Sequence, residues 1–395
     1  MRKLILSVLF ILVSIPVCIA DDSNPLLESY LRNFARASVA TKTQILQDAS
    51  AADPQSMGPL YKEAVDFILT NNHLLDTDPA VQELALLSAK YTGQAGYAGA
   101  NHLLWELFQV NKDTTLRVEI LMSLGETARE DDQLIESLNQ FLKDENSRYL
   151  SGVRIDRQVL AVCVIVLGKL QHPSSFPVLF TTKIIDHTDI ITGYAEKSLS
   201  SIEGNFKELM ISVIRQNAIP EKLDGLQFAL ASPRLSDEEK GEVAVAALEA
   251  GLSTGSPDAV EMEVLQQLRY ESVRALTERQ WTQALDLVID NFEQAALEYD
   301  RGMTDTSFFL AAINSLGAMR THEAAERLTL YLGLLNSYTE GGQKVDEQIA
   351  LTVINNLGML GDQIAGDNLL FVAFIDYSDA VKQAAREAFK NLKRR

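Results

Sequence analysis

The feature that most constrains this chain is an aliphatic run that keeps returning at the close of a helical stretch. It reads Ile120-Leu121-Met122-Ser123-Leu124-Gly125, then Cys163-Val164-Ile165-Val166-Leu167-Gly168, Ala312-Ile313-Asn314-Ser315-Leu316-Gly317, Val353-Ile354-Asn355-Asn356-Leu357-Gly358 and Ala385-Arg386-Glu387-Ala388-Phe389. Aligned on the leucine or its phenylalanine equivalent, Leu124 and Leu167 are 43 residues apart, Leu316 and Leu357 are 41 apart, and Leu357 and Phe389 are 32 apart. Those spacings are the size of a two-helix repeat. The 149 residues from Leu167 to Leu316 leave room for about three more units, of which Ala195-Glu196-Lys197-Ser198-Leu199 is the clearest candidate. A lone helix pair cannot cover its own apolar face. Stacked neighbours bury a continuous core, at roughly 25 cal/mol for each Å² of apolar surface removed from water.

Between these runs the chain is one helical pattern after another, with apolar residues three and four apart and almost no strand-like alternation. Ser236-Asp237-Glu238-Glu239 reads as a serine cap answered by Glu239 at the third position. Pro79, Pro220 and Pro257 fall near helix starts, where a missing N–H costs nothing. Breaks at Gly93–Gly99, Ser253–Pro257 and Gly341-Gly342 are turn-sized, and none is a linker that would separate independent domains. The glycines after Leu124, Leu167, Leu316 and Leu357 are expected to end their helices with positive φ.

The closing segment carries the fullest pattern. Leu369 to Asp376 makes a first helix, Ser378-Asp379 a turn, and Val381-Lys382-Gln383-Ala384-Ala385-Arg386-Glu387-Ala388-Phe389 a second; Leu116-Arg117 and Asp78-Pro79-Ala80-Val81 with Ala85 and Ala89 echo it. These segments resemble HEAT repeats of the armadillo-like kind over about two thirds of the chain. The resemblance implies an all-α fold: a right-handed α-solenoid of stacked antiparallel helix pairs, about eight or nine of them over residues 21–395, less regular at 205–300. It also implies a protein or peptide partner along the concave face lined by second helices. Asn314 and Asn355 are the polar positions to watch there, against the plainer reading that each is simply solvated.

The N-terminus reads as a transport address. Arg2 and Lys3 precede Leu4–Ile15, apolar except for Ser7 and Ser14; Pro16 then breaks the helix before Cys18-Ile19-Ala20. A signal peptide of residues 1–20, cleaved after Ala20, is expected, which places the mature chain in the periplasm or cell envelope of a bacterial source. A lipid anchor at Cys18 fits less well, because Ile15-Pro16-Val17 are not the small residues such a site prefers. No transmembrane segment is expected in the mature chain: the most apolar later stretch, Leu160–Leu167, is flanked by Arg157 and Lys169 and reads as a buried helix.

The chain has a formal net charge of −19, and losing Arg2 and Lys3 makes it two units more negative. A surface of that sign repels nucleic acid. Lys390, Lys393, Arg394 and Arg395 are the one basic cluster, read as a solvated tail. Without Cys18, Cys163 stands alone among Val162, Val164 and Ile165, so no internal disulfide is possible and a small buried hydrophobe is expected.

Several stretches have the spelling of a catalytic or binding motif without its context. Gly251-Leu252-Ser253-Thr254-Gly255 has the spelling of a nucleophile elbow, but it follows an alanine-rich helix where the elbow needs a strand. Gly93 to Gly99 lacks the opening and strand of a phosphate cradle. His73, His102, His172, His187 and His322 are dispersed, and Asp186-His187-Thr188-Asp189 suits helix capping. Trp105, Trp281, Tyr299, Phe308 and Phe309 have core-like helical spacing. No cofactor or metal is implied. Two function classes remain: a non-enzymatic interaction scaffold, and an envelope enzyme or ligand-binding protein with its site in residues 205–300.

Overall fold

The computed structural model describes residues 24–185, 187–253 and 258–392. The expected signal segment with Cys18 and Ala20, and Asp186, Thr254, Gly255, Pro257, Lys393, Arg394 and Arg395, lie outside the described residues. Among the described residues there are twenty α-helices and no strand. They fall into two compact units that divide after Ala128.

The first unit holds α1 (Pro25–Arg36), α2 (Val39–Ala52), α3 (Gly58–Thr70), α4 (Pro79–Ala95), α5 (Asn101–Val110) and α6 (Thr114–Thr127). Consecutive helices pair, and α2, α4 and α6 pack in series as the second helices of three pairs. The second unit holds α7 (Asp132–Leu150), α8 (Arg157–Leu170), α9 (Phe176–Ile185), α10 (Asp189–Ser201), α11 (Phe206–Gln216), α12 (Ile219–Ala231) and α13 (Asp237–Ser253). It continues with α14 (Ala259–Glu278), α15 (Leu285–Asp300), α16 (Thr306–Ala318), α17 (His322–Glu340), α18 (Glu347–Leu360), α19 (Gly366–Phe371) and α20 (Asp379–Lys390). Here α7, α9, α11, α13 and α15 form one packed row, while α12, α14, α16, α18 and α20 form the other. Along these rows a helix meets both its partner and the helix two places on, and α8 packs likewise on α10, so the all-α stack of helix pairs expected from the recurring run is present within each unit.

Local chemistry sets the boundaries. Asp78, Asp113, Asp156, Asp258, Asp346 and Ser378 cap helices by accepting from backbone N–H groups one turn in. The box at Ser236 forms as expected: Glu239 N–H donates to Ser236 Oγ at 3.2 Å, and Ser236 N–H donates to Glu239 Oε2 at 2.9 Å. Pro79 occupies the first turn of α4, and Pro220 that of α12. Cys163 is fully buried.

The recurring glycines do something other than expected. Gly125, Gly168, Gly317 and Gly358 lie inside α6, α8, α16 and α18, and do not end them. Left-handed backbone comes three residues later in three of the four, at Gln171 (φ 57), Arg320 (φ 56) and Gly361 (φ 66), and follows Gly93 in the same way at Gly96 (φ 63). The reason for glycine is the neighbour. A Cβ on Gly168 would stand 2.5 Å from Ser198 Cβ and 2.8 Å from Ser198 Cα; one on Gly93 would stand 2.8 Å from Ser123 Cα; one on Gly358 would stand 2.9 Å from Ala388 Cβ. Gly93, Gly168 and Gly358 are thus seats for the next second helix. At two seats the bond is renewed, Ser123 Oγ donating to Ala89 O at 2.7 Å and Ser198 Oγ to Val164 O at 2.9 Å.

Candidate functional site

In the second unit α9 is short, ten residues, because Pro173 and Pro177 set its start and the chain turns at His187. Its neighbour α7 has nineteen residues, and a trough of about 220 Å³ lies between α7, α9 and the α11–α12 turn. Pro177, Val178, Thr181 and Ile185 of α9 form the floor. One face of α7, including Asn139, Gln140, Lys143, Ser147 and Leu150, makes one wall; the α11–α12 turn with Gln216, Asn217 and Glu221 makes the other.

Buried and half-buried amides fix these walls. Asn217 Nδ2 donates to Pro177 O at 3.1 Å and to Thr181 Oγ1 at 2.8 Å, tying the turn to α9. Asn146 Nδ2 donates to Thr182 Oγ1 at 2.9 Å and Asn139 Nδ2 to Ser174 Oγ at 3.1 Å, tying α7 to α9 and the turn before it. An apolar floor between amide-bearing walls can seat an extended polypeptide: side chains meet the floor and main-chain polar groups meet Gln140 and Gln216. The volume is below that of a drug-sized pocket and suits a few side chains at a time.

His187 is bonded to Asn146, one of the lining residues. Its Nε2 donates to Asn146 Oδ1 at 2.8 Å, Tyr149 lies over its ring at 4.1 Å between centroids, and Nδ1 is buried without a partner. Burial first, and the Arg157 charge second, hold its pKa below the ordinary 6.5. A base whose folded pKa is depressed leaves stability intact above its unfolded value; as pH falls below 6.5 the unfolded chain takes the proton first and stability drops until the folded pKa is reached. His187→Gln should therefore flatten the fall in Tm between about pH 7 and pH 5. An unchanged slope would show that other groups carry it.

The expected partner positions lie on the other row. Asn314 of α16 and Asn355 of α18 are exposed at equivalent places in their repeats. Asn314 is also structural: its Oδ1 accepts at 2.9 Å from Asn356 Nδ2, whose side chain is buried and also donates to Thr352 O. Asn356 and Asn146 are buried and Asn217 half-buried, and in the sequence such asparagines look the same as solvated ones.

Residues 205–300 do bring titratable groups together. Arg269 Nη2 donates to both oxygens of Glu298 at 2.6 Å, Gln294 Nε2 donates to Oε1 at 2.8 Å, and Gln266 Nε2 donates to Oε2 at 3.2 Å, all buried or partly buried. The adjoining space is about 10 Å³, room for a single water and not for a substrate. Ser253 ends α13, as its helical context led one to expect. Trp281 packs over Gly241, Trp105 on Phe108, Tyr299 on Phe309 and Phe308 on Tyr270, so each of these rings is used in packing.

No family model matches the chain, and a comparison with curated proteins also finds no match. Among solved structures, one concerning a conserved phosphorylation switch that controls the interaction between cadherin and beta-catenin is similar to this chain at 13% sequence identity, over 93% of this chain and 94% of that one, with a TM-score of 0.34.

Proposed function

We propose that this chain is a non-catalytic scaffold of the cell envelope that holds a partner polypeptide against its stacked helices. The observation that carries this reading is the trough above α9, with an apolar floor and walls fixed by Asn139, Asn146 and Asn217. The exposed positions Asn314 and Asn355 extend the surface on offer to the row of second helices, the face expected to be concave. Export rests on the sequence of residues 1–20, with Arg2 and Lys3 ahead of an apolar run and Ala20 at the cut.

Both parts are open to one experiment in intact cells. A photo-crosslinking amino acid at Gln140, and separately at Asn355, should yield a discrete adduct with one protein from at least one position, and the adduct at Gln140 should vanish on Gln216→Arg. Mass spectrometry of the same purified chain should find Asp21 as its first residue. A first residue of Cys18 carrying lipid, an uncleaved N-terminus, or the absence of any adduct at either position would each overturn the corresponding part.

A further inference from the structure

In the turn that leads into α9, a serine hydroxyl meets a base. Ser174 Oγ lies 2.8 Å from His172 Nδ1, and His172 Nε2 lies 3.5 Å from Asp132 Oδ1 in the first turn of α7. Asn139 Nδ2 donates to the same Oγ at 3.1 Å, and Ser174 N–H donates to Nδ1 at 3.3 Å. Ser174 and Asn139 both line the trough, and Ser174 and His172 are half-buried.

These bonds fix where the protons are. A backbone N–H can only donate, so Nδ1 is the lone-pair nitrogen of the neutral ring, and Nε2 carries the hydrogen and faces the Asp132 carboxylate. Oγ already accepts from the Asn139 amide, and its own hydrogen goes to Nδ1. The N–H bond is an ordinary cap of the Pro173–Ser175 turn, but a cap calls for neither the hydroxyl nor the carboxylate. Ser137 and Ser147 of α7, and Ser151 at its end, show the contrast. Each of those hydroxyls donates to a backbone carbonyl one turn back, which is too weak a base to take a proton.

We propose that Ser174 is a modification site, a nucleophile that takes one acyl group from an activated ester held in the trough. Oγ forms the new bond to the carbonyl carbon while its proton passes to His172 Nδ1; the ester C–O bond breaks, and the leaving oxygen takes that proton. The chain is left with a serine ester and the donor with an alcohol. Asp132 offsets the imidazolium charge in between, but weakly, because its side chain is 84% exposed. This goes beyond the scaffold reading and does not rest on it, since a small ester needs no partner polypeptide.

The probe is p-nitrophenyl acetate, added in excess to the full chain. One equivalent of nitrophenolate should be released in a burst, and peptide mass spectrometry should place one acetyl group on Ser174. Ser174→Ala should abolish the burst, His172→Gln should slow it about tenfold or more, and Asp132→Asn should slow it only a few-fold. The burst rate of the parent should rise with pH as a single group loses its proton, and that step should vanish in His172→Gln. The position of the acetyl group on the parent decides the matter even where a variant fails to fold. Acetylation of Lys143, Ser137 or Ser147 in place of Ser174, or a folded His172→Gln acetylated as fast as the parent, would overturn the proposal. Release that continues past one equivalent and is lost in Ser174→Ala would overturn it together with the non-catalytic reading. A missing crosslink at Gln140, by contrast, removes the polypeptide seat and leaves Ser174 as proposed.

Discussion

Replacing Arg269 by methionine is expected to destabilise the second unit by about 3–5 kcal/mol, the largest effect of any single side-chain deletion considered. The cause is what it leaves behind. Glu298 is buried on α15, and its carboxylate is neutralised by one guanidinium nitrogen reaching both oxygens at 2.6 Å. Gln266 and Gln294 still donate to that carboxylate when the arginine is gone, but amides do not cancel its charge. The pair itself is worth much less than this figure, since both ions were taken out of water to form it. The double variant Arg269→Met with Glu298→Gln should thus recover more than half of the loss, because it leaves no buried charge and the new amide oxygen still accepts from one of the two glutamines. Urea denaturation followed by circular dichroism measures both. A double variant as unstable as the single one would mean that the cost does not lie in an orphaned charge.

The second large effect comes from adding one methyl group. Gly168→Ala places a Cβ 2.5 Å from Ser198 Cβ and 2.8 Å from its Cα, so α10 must withdraw from α8. Withdrawal stretches two bonds across the seam, Ser198 Oγ to Val164 O at 2.9 Å and Ser201 Oγ to Gly168 O at 2.8 Å. Alanine gains about 1 kcal/mol of helix propensity over glycine, overpacking costs about 1–3 kcal/mol, and each of the two weakened bonds about 1 kcal/mol, so a net loss of about 2–4 kcal/mol is expected. Gly193→Ala is the internal control. It lies in exposed α10 surface with nothing near the new methyl, and the same substitution there should stabilise by up to about 1 kcal/mol. If both substitutions have the same sign, the seat does not decide the cost.

These two sites also mark what the sequence could and could not disclose. Helices and repeat spacing were legible because the three-to-four periodicity and the caps, such as Ser236 with Glu239, are local signals. The recurrent glycine was visible as well, but its reason was misread. As a helix stop it needs only its own backbone, whereas its actual role depends on a serine or alanine about thirty residues on, at Ser123, Ser198 or Ala388. The ion pair of Arg269 and Glu298 spans 29 residues and resembles any two surface charges until their burial is known. Asn314 was picked out as exposed, and it is; the buried Asn356 that bonds to it was not. The trough was the least accessible feature. Its lining comes from α7, α9 and the α11–α12 turn, up to about 80 residues apart in the chain, although Pro173 and Pro177 were there to suggest a short α9.

Amide hydrogen exchange on Gly168→Ala, read helix by helix in the second unit, tests most directly whether each pair is sealed by its neighbours. Nearest-neighbour stacking predicts that protection falls first in α8 and α10, less in α7 and α9, and hardly at all in α18 and α20. A uniform loss through every helix down to α20, as in a single cooperative globule, would contradict it.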